Sequence, residues 1–90
     1  MKVTRVLFYG EPRGNFLRYS TIVVDSDLVI CGIKLINRTD GTILVAMPER
    51  KKIDDTYEEI VRPVNKESRK IIEDAVLSAW ATFPRVLIEK

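Results

Sequence analysis

Along the first half of the chain, apolar β-formers come in short runs separated by turn residues, and toward the end they recur at helical spacing. The first run covers residues 2–9, and Gly10-Glu11-Pro12-Arg13-Gly14 breaks it with glycine and proline. A second run, 15–24, ends at Asp25-Ser26-Asp27, which suits a tight hairpin turn. The third covers 28–37. Asp40-Gly41 then stands between two apolar runs, the strongest hairpin signal in this sequence. The fourth run, 42–47, stops at Pro48, whose nitrogen cannot donate to a ladder. After the polar stretch Glu49 to Thr56, residues 57–61 read as a short fifth strand or an extended crossing, ended by Arg62-Pro63. A helix is expected over 66–83, with Asn65 as N-cap, Glu67 in the first turn and Pro84 as its stop. Ile71, Ile72, Ala75, Val76, Ala79, Trp80 and Phe83 cover about half its circumference, and Leu77 falls roughly 60° outside that stripe. The pattern predicts an α+β fold in one domain, 1–90: a four- to five-stranded antiparallel meander followed by one long amphipathic C-terminal helix.

The third run is apolar on both faces. Val29, Cys31, Ile33 and Leu35 alternate on one side, and Leu28, Ile30 and Ile36 lie on the other. A half-exposed antiparallel strand alternates apolar with polar, so this one is expected to be covered twice. One helix is about 10 Å wide, whereas four strands span about 19 Å, so the helix leaves apolar sheet uncovered. A second copy of the chain is the simplest cover. The expected homodimer interface takes in Val29, Ile33, Leu35 and the off-stripe Leu77.

Composition narrows the chemistry. With 46% hydrophobic and 31% charged residues, the chain reads as globular, and no apolar run is long enough to span a membrane. Met1-Lys2-Val3-Thr4 carries no cleavage-site pattern, so a secretory leader is not expected. The single cysteine fits a reducing, cytoplasmic setting, and Cys31 in mid-strand reads as core filling. There is no histidine, which removes the usual general base, the usual nucleophile pairs and the commonest metal ligand. No enzyme activity, cofactor or metal is therefore expected. The net charge of +2 is unevenly spread, with nine Lys/Arg against five Asp/Glu in residues 1–53 and six against eight in 54–90.

Arg50-Lys51-Lys52 follows the fourth run on an expected loop, where flexible cations could reach a nucleic-acid backbone; Glu49, Asp54 and Asp55 beside it nearly cancel the charge, as in any solvated loop. The carboxylates Asp54, Asp55, Glu58 and Glu59 lack the geometry and glycine of a calcium loop and read as solvated. Arg5, Arg13 and Arg18 either extend a basic face or protect an edge strand. Phe8, Tyr9, Phe16, Tyr19, Tyr57 and Trp80 are scattered in sequence, so base stacking is not indicated.

Several segments in order carry a resemblance. Gly41-Thr42-Ile43-Leu44-Val45-Ala46-Met47-Pro48, Arg50-Lys51, Ile60-Val61-Arg62-Pro63-Val64-Asn65 and Ile72-Glu73-Asp74-Ala75-Val76-Leu77, with Met1-Lys2-Val3-Thr4 at the start, resemble the stage V sporulation protein G (SpoVG) septation family. The resemblance covers nearly the whole chain, although residues 5–40 match only in pattern. It implies a small homodimeric α+β regulator that binds DNA and RNA and is linked to septation and sporulation. It also implies that basic residues after the Met-Pro step and near the helix touch nucleic acid, which here are Arg50, Lys51, Lys52, Arg69 and Lys70. The expected partners are thus DNA or RNA and the chain itself, as a dimer or higher assembly. The other function class left open is a protein-interaction adaptor in cell division. Two departures stand out. Glu49 replaces a small polar residue, and Arg85-Val86-Leu87-Ile88-Glu89-Lys90 replaces an acidic tail, baring the basic face and offering one more short strand.

Overall fold

Strands β1 (Val3–Tyr9), β2 (Phe16–Val24), β3 (Leu28–Asn37) and β4 (Ile43–Ala46) form one antiparallel sheet in the order β1-β2-β3-β4. The structure is a computed structural model that describes the backbone of residues 1–88 and the side chains as far as Phe83. Local chemistry sets the meander. Asp25 and Ser26 both take positive φ, 52° and 58°, and Asp27 N–H donates to the Val24 carbonyl at 3.0 Å. That is the mirror-image turn whose twist matches a hairpin. At the next turn the Asp40 carboxylate accepts from the Thr42 amide (3.0 Å) and hydroxyl (2.6 Å), and Gly41 supplies a φ of 88°.

Helix α1 (Lys66–Ile88) packs across the sheet against β1 and β4. Asn65 caps it as expected, its side-chain oxygen accepting from the Ser68 amide at 2.8 Å. Between helix and sheet lies the core: Ile22, Val24, Ile33, Leu35, Val45 and Met47 from the sheet side, Ile72 and Val76 from the helix. Burying each such side chain contributes about 1.5–3 kcal/mol. The helix does not stop at Pro84. Proline's φ is helical, and what it removes is the N–H that would reach the Trp80 carbonyl. The expected extra strand therefore fails over residues 85–88, which are helical, while 89–90 lie outside the described residues.

Strand β3 shows why its sequence reads as apolar on both faces. Ile22 pairs with Ile30 and Ser20 with Ile33, so two residues, Cys31 and Gly32, stand opposite Thr21 in a bulge. The bulge changes the phase of alternation. Ile30, Ile33 and Leu35 all serve the one core, Val29 is 58% exposed, and Cys31 is exposed instead of filling the core. Gly32 permits this with a φ of 85° and lies under the Pro48 ring, at 3.8 Å from where its Cβ would sit.

A second correction concerns residues 49–51. They form strand β5 (Glu49–Lys51), paired antiparallel with β6 (Tyr57–Glu59) in a separate two-stranded sheet. The hairpin leaves the main body after Pro48 and returns at Ile60, whose amide donates to the Pro48 carbonyl at 2.9 Å.

Candidate functional site

Strand β5 and the turn after it place Arg50, Lys51 and Lys52 on the hairpin, where with Ile53, Asp54 and Glu58 they line a shallow hollow of ≈ 510 Å³. Strand β5 is three consecutive charged residues, of which Arg50 is answered across the ladder while Glu49 stands opposite the like charge of Glu59. Arg50 lies opposite Glu58, and its guanidinium Nε donates to Glu58 Oε1 at 2.9 Å. Lys51 reaches Asp55 at 3.2 Å. The helix start is tied to the hairpin through Arg69, which pairs at 3.2 Å with Glu59, the neighbour of Glu58 on β6 and so on its other face. Lys70 instead runs along the helix to Asp74 at 3.5 Å. Of the five expected cations, Lys52 is the one without an ion pair among the described residues.

The carboxylates thus do not converge on a point. Asp54, Asp55, Glu58 and Glu59 each face a different partner, and among the described residues no metal-ligand cluster forms. Asp54 closes the hairpin turn by accepting from the Thr56 amide (3.1 Å) and hydroxyl (2.6 Å), as Asp40 does for Thr42. The hydroxyl bond, then the amide bond, holds each of these two carboxyls below the ordinary aspartate value of 3.8. Residues 49–59 hold five carboxylates and three cations, so the hairpin's own charge is negative. Its ion pairs are exposed and individually weak, which leaves the cations able to exchange a carboxylate for another anion.

The expected dimer residues divide. Ile33 and Leu35 are 0% exposed inside the chain and offer nothing to a second copy. Leu77, expected at the dimer interface, packs half-buried against the chain's own core. Val29 remains on the surface. Sequence reasoning missed a different apolar belt: Ile53, Tyr57, Ile60, Val61 and Val64 are all exposed along the hairpin and its return to the helix. Their setting among Asp54, Asp55, Glu58, Glu59 and Arg62 was the available signal.

The aromatics also gather, against expectation. Phe8, Trp80 and Phe83 meet on the helix side of the sheet, with Phe8–Trp80 centroids at 5.4 Å and the Arg18 guanidinium 5.9 Å from the Phe83 centroid. Arg18 therefore neither extends a basic face nor guards an edge, because β2 is an interior strand. Tyr9, Tyr19 and Phe16 form a second group, Tyr9–Tyr19 stacked at 5.2 Å and Phe16–Tyr19 at 4.7 Å.

Comparison with known proteins places this geometry. A family model described as SpoVG matches residues 1–82. A protein of Bdellovibrio bacteriovorus named "Putative septation protein SpoVG" is 35% identical over 80 residues, covering 89% of this chain and 73% of its own. One of the same name from Archaeoglobus fulgidus is 31% identical over 88% of this chain and 93% of its own. "Putative septation protein SpoVG 1" of Listeria monocytogenes is 35% identical over 89% of this chain and 78% of its own. With a family match over residues 1–82 and the antiparallel meander and C-terminal helix in place, the chain belongs to the SpoVG family.

Proposed function

We propose that the chain is a non-enzymatic, cytoplasmic regulator connected with septation, which binds DNA or RNA as a homodimer. One observation carries the nucleic-acid part. The Arg69–Glu59 pair ties the helix start to the hairpin, so a helix cation stands against the same two-stranded element that carries Arg50, Lys51 and Lys52. Phosphates compete there with single exposed carboxylates, a contest of weak partners that depends steeply on salt. The belt of Tyr57, Ile60, Val61 and Val64 supports the homodimer, since a second copy would cover it.

Changing Arg50, Lys51 and Lys52 together to alanine is expected to weaken binding to duplex DNA uniformly across sequences. The slope of log affinity against log salt should flatten by about 0.9 for each phosphate that the variant no longer neutralises. Sedimentation of the parent should give twice 10.4 kDa. An unchanged salt slope in the triple variant would remove the hairpin from the interface. The same apolar belt favours a second reading, a protein-interaction adaptor in cell division, which then takes precedence.

A further inference from the structure

The sheet has two faces, and α1 covers one of them. By register, Phe8, Ser20, Ile22, Ile33, Leu35 and Val45 point to the helix. The opposite face carries Leu7 and Tyr9 on β1, Phe16, Tyr19 and Thr21 on β2, and Lys34 and Ile36 on β3. At the end of this face where β1 gives way to β2 is the aromatic trio. Tyr9 and Tyr19 are directly opposite across β1 and β2, and Phe16 closes on Tyr19. Tyr9 remains 44% exposed. Gly10 leaves room for the Tyr19 ring, since a Cβ there would sit 3.1 Å from Tyr19 Cδ2.

The charged strand positions on this face have one sign. Lys34 stands directly opposite Tyr19, and Arg5 lies farther along β1 opposite Val23. No Asp or Glu occupies a position of β1 to β4. Neither Lys34 nor Arg5 is in an ion pair among the described residues, unlike most of the hairpin cations. A second copy docked here by a two-fold would bring its own Lys34 and Arg5 to strands that hold no carboxylate to meet them. An unpaired nucleic-acid strand has the complementary chemistry, with flat bases for the rings and phosphates for the cations.

We infer that the helix-free face of the sheet, built on Tyr9, Tyr19, Phe16 and Lys34, is a stacking platform for the bases of single-stranded nucleic acid. It rests on the nucleic-acid reading above and adds to it a preference for unpaired strands. The hairpin cations and this platform are made of different residues, so variants tell them apart.

The test is fluorescence anisotropy of the intact chain with a labelled oligouridylate and with a duplex, each of about 20 nucleotides or base pairs so as to exceed one platform's reach. Tyr9→Leu and Tyr19→Leu stay apolar but remove the ring. Each should weaken oligouridylate binding about 5- to 100-fold, and Tyr9→Phe and Tyr19→Phe should bind as the parent does. Duplex binding should stay at the parent value, because paired bases offer no face to stack. Lys34→Ala, which leaves the aromatic rings in place, should flatten the single-strand salt slope by about 0.7. Leucine variants that bind oligouridylate like the parent overturn the platform alone. So does an equal loss on both ligands, or a Tyr9→Leu variant whose sedimenting mass falls by half, which assigns the face to a second copy. A parent that binds neither ligand overturns the platform together with the nucleic-acid reading.

Discussion

Ser26 holds a conformation that glycine adopts without strain. A side chain at a φ of 58° carries a penalty of about 1–2 kcal/mol, and glycine's extra freedom when unfolded returns about 0.5–1 of it. Ser26→Gly should therefore stabilise the chain by about 0.5–1 kcal/mol, seen as a higher urea midpoint with an unchanged slope. The amide that donates to Thr4 Oγ1 at 3.2 Å is kept in the variant, so nothing offsets the gain. A midpoint that stays put or falls would mean the turn draws on the serine side chain. At this scale much was legible. The Asp-Gly turn and the Asn65 cap follow from side-chain chemistry that acts over a few residues, and both are found. Cys31 was not legible, because its exposure depends on a bulge that only Gly32 hints at in the sequence.

Turns of the same construction appear twice, and they tie two elements to pH. Arg38-Thr39-Asp40-Gly41-Thr42 and Lys52-Ile53-Asp54-Asp55-Thr56 each have an aspartate bonded to the threonine two residues on, with positive φ between them. The first residue's amide donates to the threonine carbonyl in both, at 2.8 and 2.7 Å. Each aspartate's pKa is lowered on folding, so each stabilises its turn above the ordinary aspartate range, and that contribution is lost as pH falls through the depressed value. Exchange of the Thr42 and Thr56 amide protons, after correction for intrinsic rates, should speed up below the ordinary value of 3.8. Equal protection on both sides of that value would contradict the bonding. The hairpin was harder to foresee than the sheet. Glu49, Arg50 and Lys51 have no apolar alternation, and their pairing with Glu59, Glu58 and Tyr57 is set by register across the hairpin. The aromatic groups were invisible for a related reason: Tyr9 and Tyr19 become neighbours through register, which no local spacing states.

Across the whole molecule, the sheet and helix make one cooperative body, and the hairpin is attached to it at a narrow waist. Its two ends are already joined by the hydrogen bond from Ile60 to Pro48, so the chain leaves and re-enters at nearly one point. Topologically the hairpin is a removable appendage. Replacing residues 49–59 by a short glycine linker closes a small gap and leaves β1 to β4, the Asn65 cap and the packing of Ile72 and Val76 in the core intact. The trimmed chain should show the parent's single cooperative thermal transition, displaced by only a few degrees. Loss of that transition would mean that the appendage helps build the body. Such a joint also frees the hairpin to vary in length and charge without cost to the core, so its exposed surface can diverge between related chains while the scaffold beneath it stays the same.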